Sequence, residues 1–199
     1  MKIIGLAGES GTGKSTIAEH LRGRGASHID ADRVGHDLLE NDPDVRRRLR
    51  ATIGERVFEG DAIDRAALSS FVFREAAALA TLNSIIHPAI VRECERRIEE
   101  LARQGADMAV IDAALLLEVT LPFRVDLMIA LSCSRDEQLR RLQAKGGFSR
   151  EQLEARLSSQ ADLQKSFYRA DVVLDTDRPK AVVLSEVERL IDFLLDTKR

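Results

Sequence analysis

Ile3-Ile4-Gly5-Leu6-Ala7-Gly8-Glu9-Ser10-Gly11-Thr12-Gly13-Lys14-Ser15-Thr16 decides how the rest of this 199-residue chain is read. An apolar run stops at Gly8, a glycine-rich loop follows, and a helical pattern starts at Lys14-Ser15. Gly8 to Ser15 satisfies G-x-x-x-x-G-K-[ST] at every fixed position, in the strand–loop–helix context that the motif requires. The physics is anion binding. Glycines let the backbone take turns that a Cβ would obstruct, so successive N–H groups face inward around a phosphate chain. The helix that follows adds its unpaired N–H groups and the positive end of its dipole. Lys14 is placed to reach the β and γ phosphates of a nucleotide, and the Ser15 hydroxyl to ligate Mg²⁺. Glu9, Ser10, Thr12 and Thr16 complete the nucleotide-binding loop and its exit. The bland alternative is a glycine-rich turn without a ligand, and the flanking strand and helix patterns argue against it.

Working outward, a chain of this length forms one large domain and needs no metal or disulfide staple. Apolar residues make up 44% and charged residues 32%, with a net charge of −3, so neither nucleic acid nor an anionic membrane is expected as the main partner. The two cysteines, Cys94 and Cys133, read as small packing residues, not as a bridge. No apolar stretch approaches the length of a membrane span, and no signal-peptide layout precedes the first strand, so a cytoplasmic location is expected.

Strands are expected at Lys2–Ala7, Ser27–Asp30, Met108–Ala113, Val125–Leu131 and Asp171–Leu174. Their order with the intervening helices predicts a three-layer α/β fold of the P-loop nucleoside-triphosphate-hydrolase type. Its five-stranded parallel sheet carries helices on both faces. Residues 33 to about 104 read as mostly helical, far longer than a simple crossover, and so as a helical insertion that carries the second substrate. Within it Asp42 and Asp64 read as helix N-caps, Glu59-Gly60-Asp61 as a loop or short hairpin, and His87-Pro88 as a helix break. Gly146-Gly147 ends one later helix, and Ser149 with Gln152 forms a capping box for another, reaching about Leu163.

Phosphoryl transfer needs alignment, Mg²⁺, cations and a base or orienter for the nucleophile. Asp32 is the candidate base, because it follows the strand beside the one that feeds the loop. Asp30 reads as a supporting or capping residue. Asp112 closes an apolar strand where a carboxylate holds Mg²⁺, directly or through water. Arg141, Lys145 and Arg156 lie in or around an Arg/Gln-rich segment, about 138–165, that reads as a lid closing on ATP. Arg135, Arg140 and Arg150 read as a solvated face. The four histidines show no metal-ligand spacing; His20, His28 and His36 read as structural, and His87 as a substrate contact.

The chain as a whole resembles the dephospho-CoA kinases. The resemblance rests on the phosphate loop, Ile29-Asp30-Ala31-Asp32, and Asp64-Arg65 with Leu68 and Val72-Phe73. It continues through Leu82-Asn83, Ile86-His87-Pro88, Asp112 with Leu115-Leu116 and Glu118, Gln138-Leu139 with Arg141-Leu142, Arg156 with Gln160, and Ala170-Asp171-Val172-Val173. It implies ATP- and Mg²⁺-dependent phosphorylation of the ribose 3′-hydroxyl of dephospho-CoA, with Asp32 as base. It also implies Arg65, His87 and the Leu115-Leu116 turn at the acceptor, and Arg141 and Arg156 in the lid. The partners expected for the chain are small molecules only, with the protein a monomer or weak homo-oligomer. Three positions depart from the family's common pattern: Ala114 for proline, Lys145-Gly146 for Arg-Asp, and Thr176 for asparagine. Another P-loop nucleotide or small-molecule kinase is the nearest alternative. A GTPase or ATPase switch lacks support, because no Asn-Lys-x-Asp run exists here.

Overall fold

The computed structural model describes residues 1–74 and 76–196, with every side chain in those ranges except those of residues 73, 74, 76 and 115. The chain forms two compact units, Ala31–Arg97 and the remainder: Met1–Asp30 with the chain from Ile98 onward.

The larger unit is built on a five-stranded sheet of β1 (Lys2–Gly8), β2 (Ser27–Asp30), β5 (Met108–Asp112), β6 (Leu127–Ser132) and β7 (Val172–Asp175), in the spatial order β2-β5-β1-β6-β7. Every pairing is parallel. One expectation is corrected here: β2 does not lie beside the loop-bearing β1, because the chain returns after the long helical stretch to place β5 between them, paired with both. Ile4, Leu6, Val110, Ile129 and Leu131 project to one face, where they pack with Ile17, Ala18 and Leu21 of α1 (Lys14–Gly23) and Val183, Val187 and Ile191 of α8 (Lys180–Asp196). Their strand neighbours Ile3, Ala7, Ala109, Ile111 and Ala130 point the other way and are buried too. A sheet buried on both faces explains why the strands read as continuous apolar runs instead of alternating ones. The central strand β1 delivers the phosphate loop between the carboxyl ends of β5 and β6, where open α/β sheets hold their ligands.

After β6 come α6 (Arg135–Lys145) and α7 (Arg150–Ser158). The capping box forms as expected: Ser149 Oγ accepts from the Gln152 N–H, and the Gln152 side chain accepts from the Ser149 N–H. Leu153 and Leu157 pack on Leu139 and Leu142 of α6. Contrary to expectation, α7 stops at Ser158, not near Leu163, and a 3-10 stretch covers Ala161–Arg169. The Ser159 hydroxyl bonds back to the Arg156 carbonyl, and the chain turns so that Gln160 reaches the phosphate loop. Such local serine bonding competes with helix propagation.

The Ala31–Arg97 unit contains α2 (Ala31–Asn41), α3 (Pro43–Ile53), the β3–β4 hairpin (Phe58–Glu59 and Ala62–Ile63) and α4 (Arg65–Arg74). It also contains most of α5 (Ala76–Arg103). Asp42 caps α3 and Asp64 caps α4, each carboxylate accepting two backbone N–H bonds. Two expectations are corrected. Helix α2 begins at Ala31, straight from Asp30, so Asp32 lies inside its first turn and does not precede it. His87-Pro88 does not break the chain, because α5 runs unbroken for 28 residues with Pro88 inside. An interior proline costs roughly 3 kcal/mol. Against it stand Ile85, Ile86 and Ile90, all buried on one stripe with Ala89 and Cys94, at roughly 2 kcal/mol for each isoleucine. Packing therefore carries the helix through the proline. Gly35 of α2 is the close-approach point, since a Cβ there would sit 3.0 Å from the Ile90 side chain.

Both cysteines are buried and free. Burial pushes each thiol up to about 11, so neither is a nucleophile at neutral pH. No helix among the described residues is long and apolar enough to cross a membrane.

Candidate active site

The phosphate loop is held from outside at Glu9, Ser10, Gly11 and Thr12. Gly11 has φ +81°, and a Cβ on it would lie 3.0 Å from the Gln138 carbonyl oxygen, so the first turn of α6 rests directly on the loop. Gly13 takes a left-handed conformation (φ 98°) as the N-cap of α1 and offers no side-chain cap. That leaves the helix N-terminus to the loop's ligand. Lys14 Nζ spans the loop and donates to the Gly8 carbonyl at 2.8 Å and the Glu9 carbonyl at 3.3 Å. Ser15 and Thr16 are exposed on the first turn of α1.

Inward-facing N–H groups imply outward-facing carbonyls, and these find donors. The Thr12 hydroxyl donates to the Glu9 carbonyl at 2.8 Å. Arg141 Nη1 donates to the Gly11 carbonyl at 3.3 Å. The Thr176 hydroxyl donates to the Thr12 carbonyl at 2.8 Å. The Glu9 side chain is 4% exposed, and its carboxylate accepts from Gln138 Nε2 at 2.7 Å. Ser10 is gripped twice: its N–H donates to Gln160 Oε1 at 2.8 Å, and its hydroxyl accepts from Arg156 Nε at 3.0 Å.

Arg141 is anchored on each side of its guanidinium. Nε donates to Glu137 Oε1 at 2.7 Å, and Nη2 donates to the Thr176 carbonyl at 2.6 Å. Arg140 and Arg141 together hold the Glu137 carboxyl down to about 2. The segment expected as a lid thus begins in a helix tied to the loop through Gln138 and Arg141. Gln138, Gln160 and Thr176 are contacts to which the residue pattern assigned no loop-holding role. The sequence contains only a faint signal for them, a loop carboxylate at Glu9 that needs a donor once buried.

Asp112 ends β5, is 7% exposed, and lies opposite Leu6 of β1 and Asp30 of β2 in the sheet register. His28 Nε2 stands 4.0 Å from Asp112 Oδ2 and is buried without a hydrogen-bond partner. Burial pulls the His28 pKa down, which favours the neutral ring. Among the described residues no three His, Cys, Asp or Glu side chains cluster to hold a metal ion. Ser15 and Asp112 are hard oxygen donors, the set that suits Mg²⁺ when phosphates and water complete its octahedron. The chain's donors therefore fit a nucleotide-borne Mg²⁺.

The Ala114–Leu117 stretch after β5 is a 3-10 turn, fixed where the Ala113 N–H donates to the Leu6 carbonyl and Arg169 Nη1 donates to the Leu117 carbonyl. Leu116 is buried; the side chain of Leu115 lies outside the described residues. In the Ala31–Arg97 unit, Asp32 is exposed on the first turn of α2. Arg65 opens α4 and pairs with Glu40 at 2.6 Å. His87 is half-buried on α5, and burial lowers its pKa.

The family model for dephospho-CoA kinase matches residues 2–181. The dephospho-CoA kinase of Geobacter sulfurreducens is 38% identical over 193 residues, covering 96% of either chain. That of Carboxydothermus hydrogenoformans is also 38% identical, covering 88% of this chain and 85% of the relative. Among solved structures, TT1252 from Thermus thermophilus superposes with a TM-score of 0.77 at 29% identity, covering 100% of this chain and 98% of the other. Dephospho-CoA kinase from Campylobacter jejuni shares the fold, with a TM-score of 0.63 at 23% identity and 96% of each chain covered. Sheet order, phosphate loop and family match agree: the chain is an α/β P-loop kinase and belongs to the dephospho-CoA kinase family.

Proposed function

We propose that this protein transfers the γ-phosphoryl group of ATP to the ribose 3′-hydroxyl of dephospho-CoA, giving CoA and ADP in the last step of CoA synthesis. The observation that carries the reading is a preformed phosphate loop on the central strand of a chain that matches this family over nearly its whole length.

In this reading Gly8 to Thr16 cradle the triphosphate, and Lys14 swings from its carbonyl contacts to the β and γ oxygens. Ser15 and Asp112 hold Mg²⁺, which when bound neutralises charge on the β and γ phosphates. Asp32 accepts the hydroxyl proton as the new O–P bond forms and the bond from Pγ to the bridging oxygen breaks, leaving ADP. Arg141 and Arg156, both in the lid segment about 138–165, supply positive charge on the outer side of the loop, Arg141 as a pre-oriented group. Arg65, His87, Leu115 and Leu116 contribute to acceptor binding, with residues about 33–104 as the acceptor-binding insertion. The protein acts in the cytoplasm on small molecules, as a monomer or weak homo-oligomer.

A coupled ADP-release assay with ATP and Mg²⁺ tests the reading. Dephospho-CoA, AMP, CMP and dTMP are compared as acceptors, with a control lacking any acceptor. ADP release that requires dephospho-CoA and yields CoA is expected. Release driven instead by a nucleoside monophosphate would overturn the acceptor, and equal release without acceptor would make the protein an ATPase.

A further inference from the structure

We infer that Thr176 is a positioning residue for nucleotide binding: its hydroxyl couples the guanidinium of Arg141 to the outward carbonyl of the phosphate loop. It contacts neither phosphate nor acceptor in this inference, which rests on reading Gly8 to Ser15 as the nucleotide loop.

Thr176 follows β7 and is only 4% exposed, although threonine is a residue more often found at the surface. Its backbone is fixed at both ends. The N–H donates to the Ser132 carbonyl at 2.9 Å, and the carbonyl accepts Arg141 Nη2 at 2.6 Å. Its side chain has two carbonyls in range, Thr12 at 2.8 Å and Ser132 at 3.0 Å, yet a hydroxyl carries a single proton. The Ser132 carbonyl already receives the Thr176 N–H. The proton therefore goes to the Thr12 carbonyl, the shorter contact, and the hydroxyl oxygen remains free to accept Arg141 Nη1 at 3.2 Å.

The result is a directed chain: Arg141 donates to Thr176, and Thr176 donates to Thr12. Each link polarises the next, and the whole is largely buried. Its effect is on the loop. The peptide that joins Thr12 to Gly13 has its carbonyl pulled outward, which turns the Gly13 N–H the opposite way, toward the loop interior. Arg141 is set by the same residue, through both the hydroxyl and the carbonyl of Thr176, while Glu137 holds its Nε. Without the hydroxyl, the Thr12 carbonyl loses its donor and Arg141 loses one of two restraints from β7's end. The loop then has to be ordered by the nucleotide itself, which shows as weaker ATP binding.

The test is Thr176→Val, which keeps the shape and removes the hydroxyl. Its KM for ATP rises about tenfold, the equivalent of one buried hydrogen bond, while KM for dephospho-CoA stays at the wild-type value. Thr176→Ser returns the ATP KM to within about threefold, because the donor is restored. A purely structural role would move thermal stability without separating the two KM values. An unchanged ATP KM in Thr176→Val, a parallel rise in both KM values, or a serine variant no better than valine would overturn the inference. If the valine variant does not fold, Thr176→Cys carries the same comparison: its thiol is a weak donor, so the ATP KM rises several-fold, and a wild-type value overturns the inference. ATP binding to Lys14→Ala, followed by calorimetry, separates the underlying reading. Full affinity there would refute the nucleotide loop itself, whereas lost affinity with an unaffected Thr176→Val would refute only the role of Thr176.

Discussion

The phosphate loop and the candidate acceptor residues of the Ala31–Arg97 unit are built in opposite ways. Around the loop, the carbonyls of Gly8, Glu9, Gly11 and Thr12 all receive side-chain donors, and Glu9 and Thr12 are buried. In the Ala31–Arg97 unit, Asp32 is exposed on a first helical turn and Arg65 spends its charge on a surface pair with Glu40. Exposed pairs of that kind contribute little and exchange readily. The difference is what transition-state binding asks for. Charge that develops on a transferring phosphoryl is best met by donors fixed in advance. A proton acceptor needs only to be ionised and to meet the hydroxyl when the acceptor is in place.

The contrast is sharpest for the base. Asp32→Asn removes the proposed proton acceptor while leaving the loop network untouched. It is expected to lower kcat by about 10³-fold, within the range for a positioned base, with little change in ATP affinity. Steady-state kinetics with both substrates varied would check this. A rise confined to the KM for dephospho-CoA would make Asp32 a binding group and remove the contrast between the two regions.

Lys14→Ala attacks the other side. Its Nζ meets only loop carbonyls, so the fold survives, as circular dichroism would show. ADP release is expected to fall by about 10²–10³-fold, the usual cost of deleting one preorganised charge donor, and ATP binding to weaken in parallel. Near-native turnover would refute the phosphate assignment and with it the idea that the rigid region is the phosphate end.

The same contrast explains what could be read in the sequence. The loop is legible because its chemistry sits in consecutive residues, Gly8 to Ser15, and the buried sheet because its strands are unbroken apolar runs. The supports of the loop are not legible. Gln138, Gln160 and Thr176 stand 129, 150 and 164 residues from their loop partners, and nothing local in their neighbourhoods says which backbone atom they meet. Pro88 is the reverse case. A strong local signal for a break was outweighed by a tertiary stripe of Ile85, Ile86 and Ile90. The start of α2 is hidden for a related reason: strand and helix signals each need flanking residues, and Asp30 passes directly into α2, so the pattern puts Asp32 after the strand and ahead of a helix from residue 33.

The smallest effect is on stability, and it compares the two units through one histidine each. Burial lowers the pKa of His28, beside Asp112, and of His87, on α5. Below the ordinary histidine value of 6.5 the unfolded chain takes up these protons, while the folded chain resists until its lower pKa is reached. The unfolded state therefore binds more protons in that window, and stability falls as the pH drops through it. Stability is full above the window and does not depend on these groups at alkaline pH. His87→Gln should flatten the acid limb of a Tm-against-pH profile, by about 2–4 °C for each kcal/mol of relieved linkage, and His28→Gln should do the same independently. If only His28→Gln flattens the profile, acid sensitivity belongs to the sheet unit, and His87 takes up its proton equally well in the folded and unfolded chain. If only His87→Gln does, the orphaned Nε2 of His28 is satisfied by solvent, and the larger unit is indifferent to mild acid.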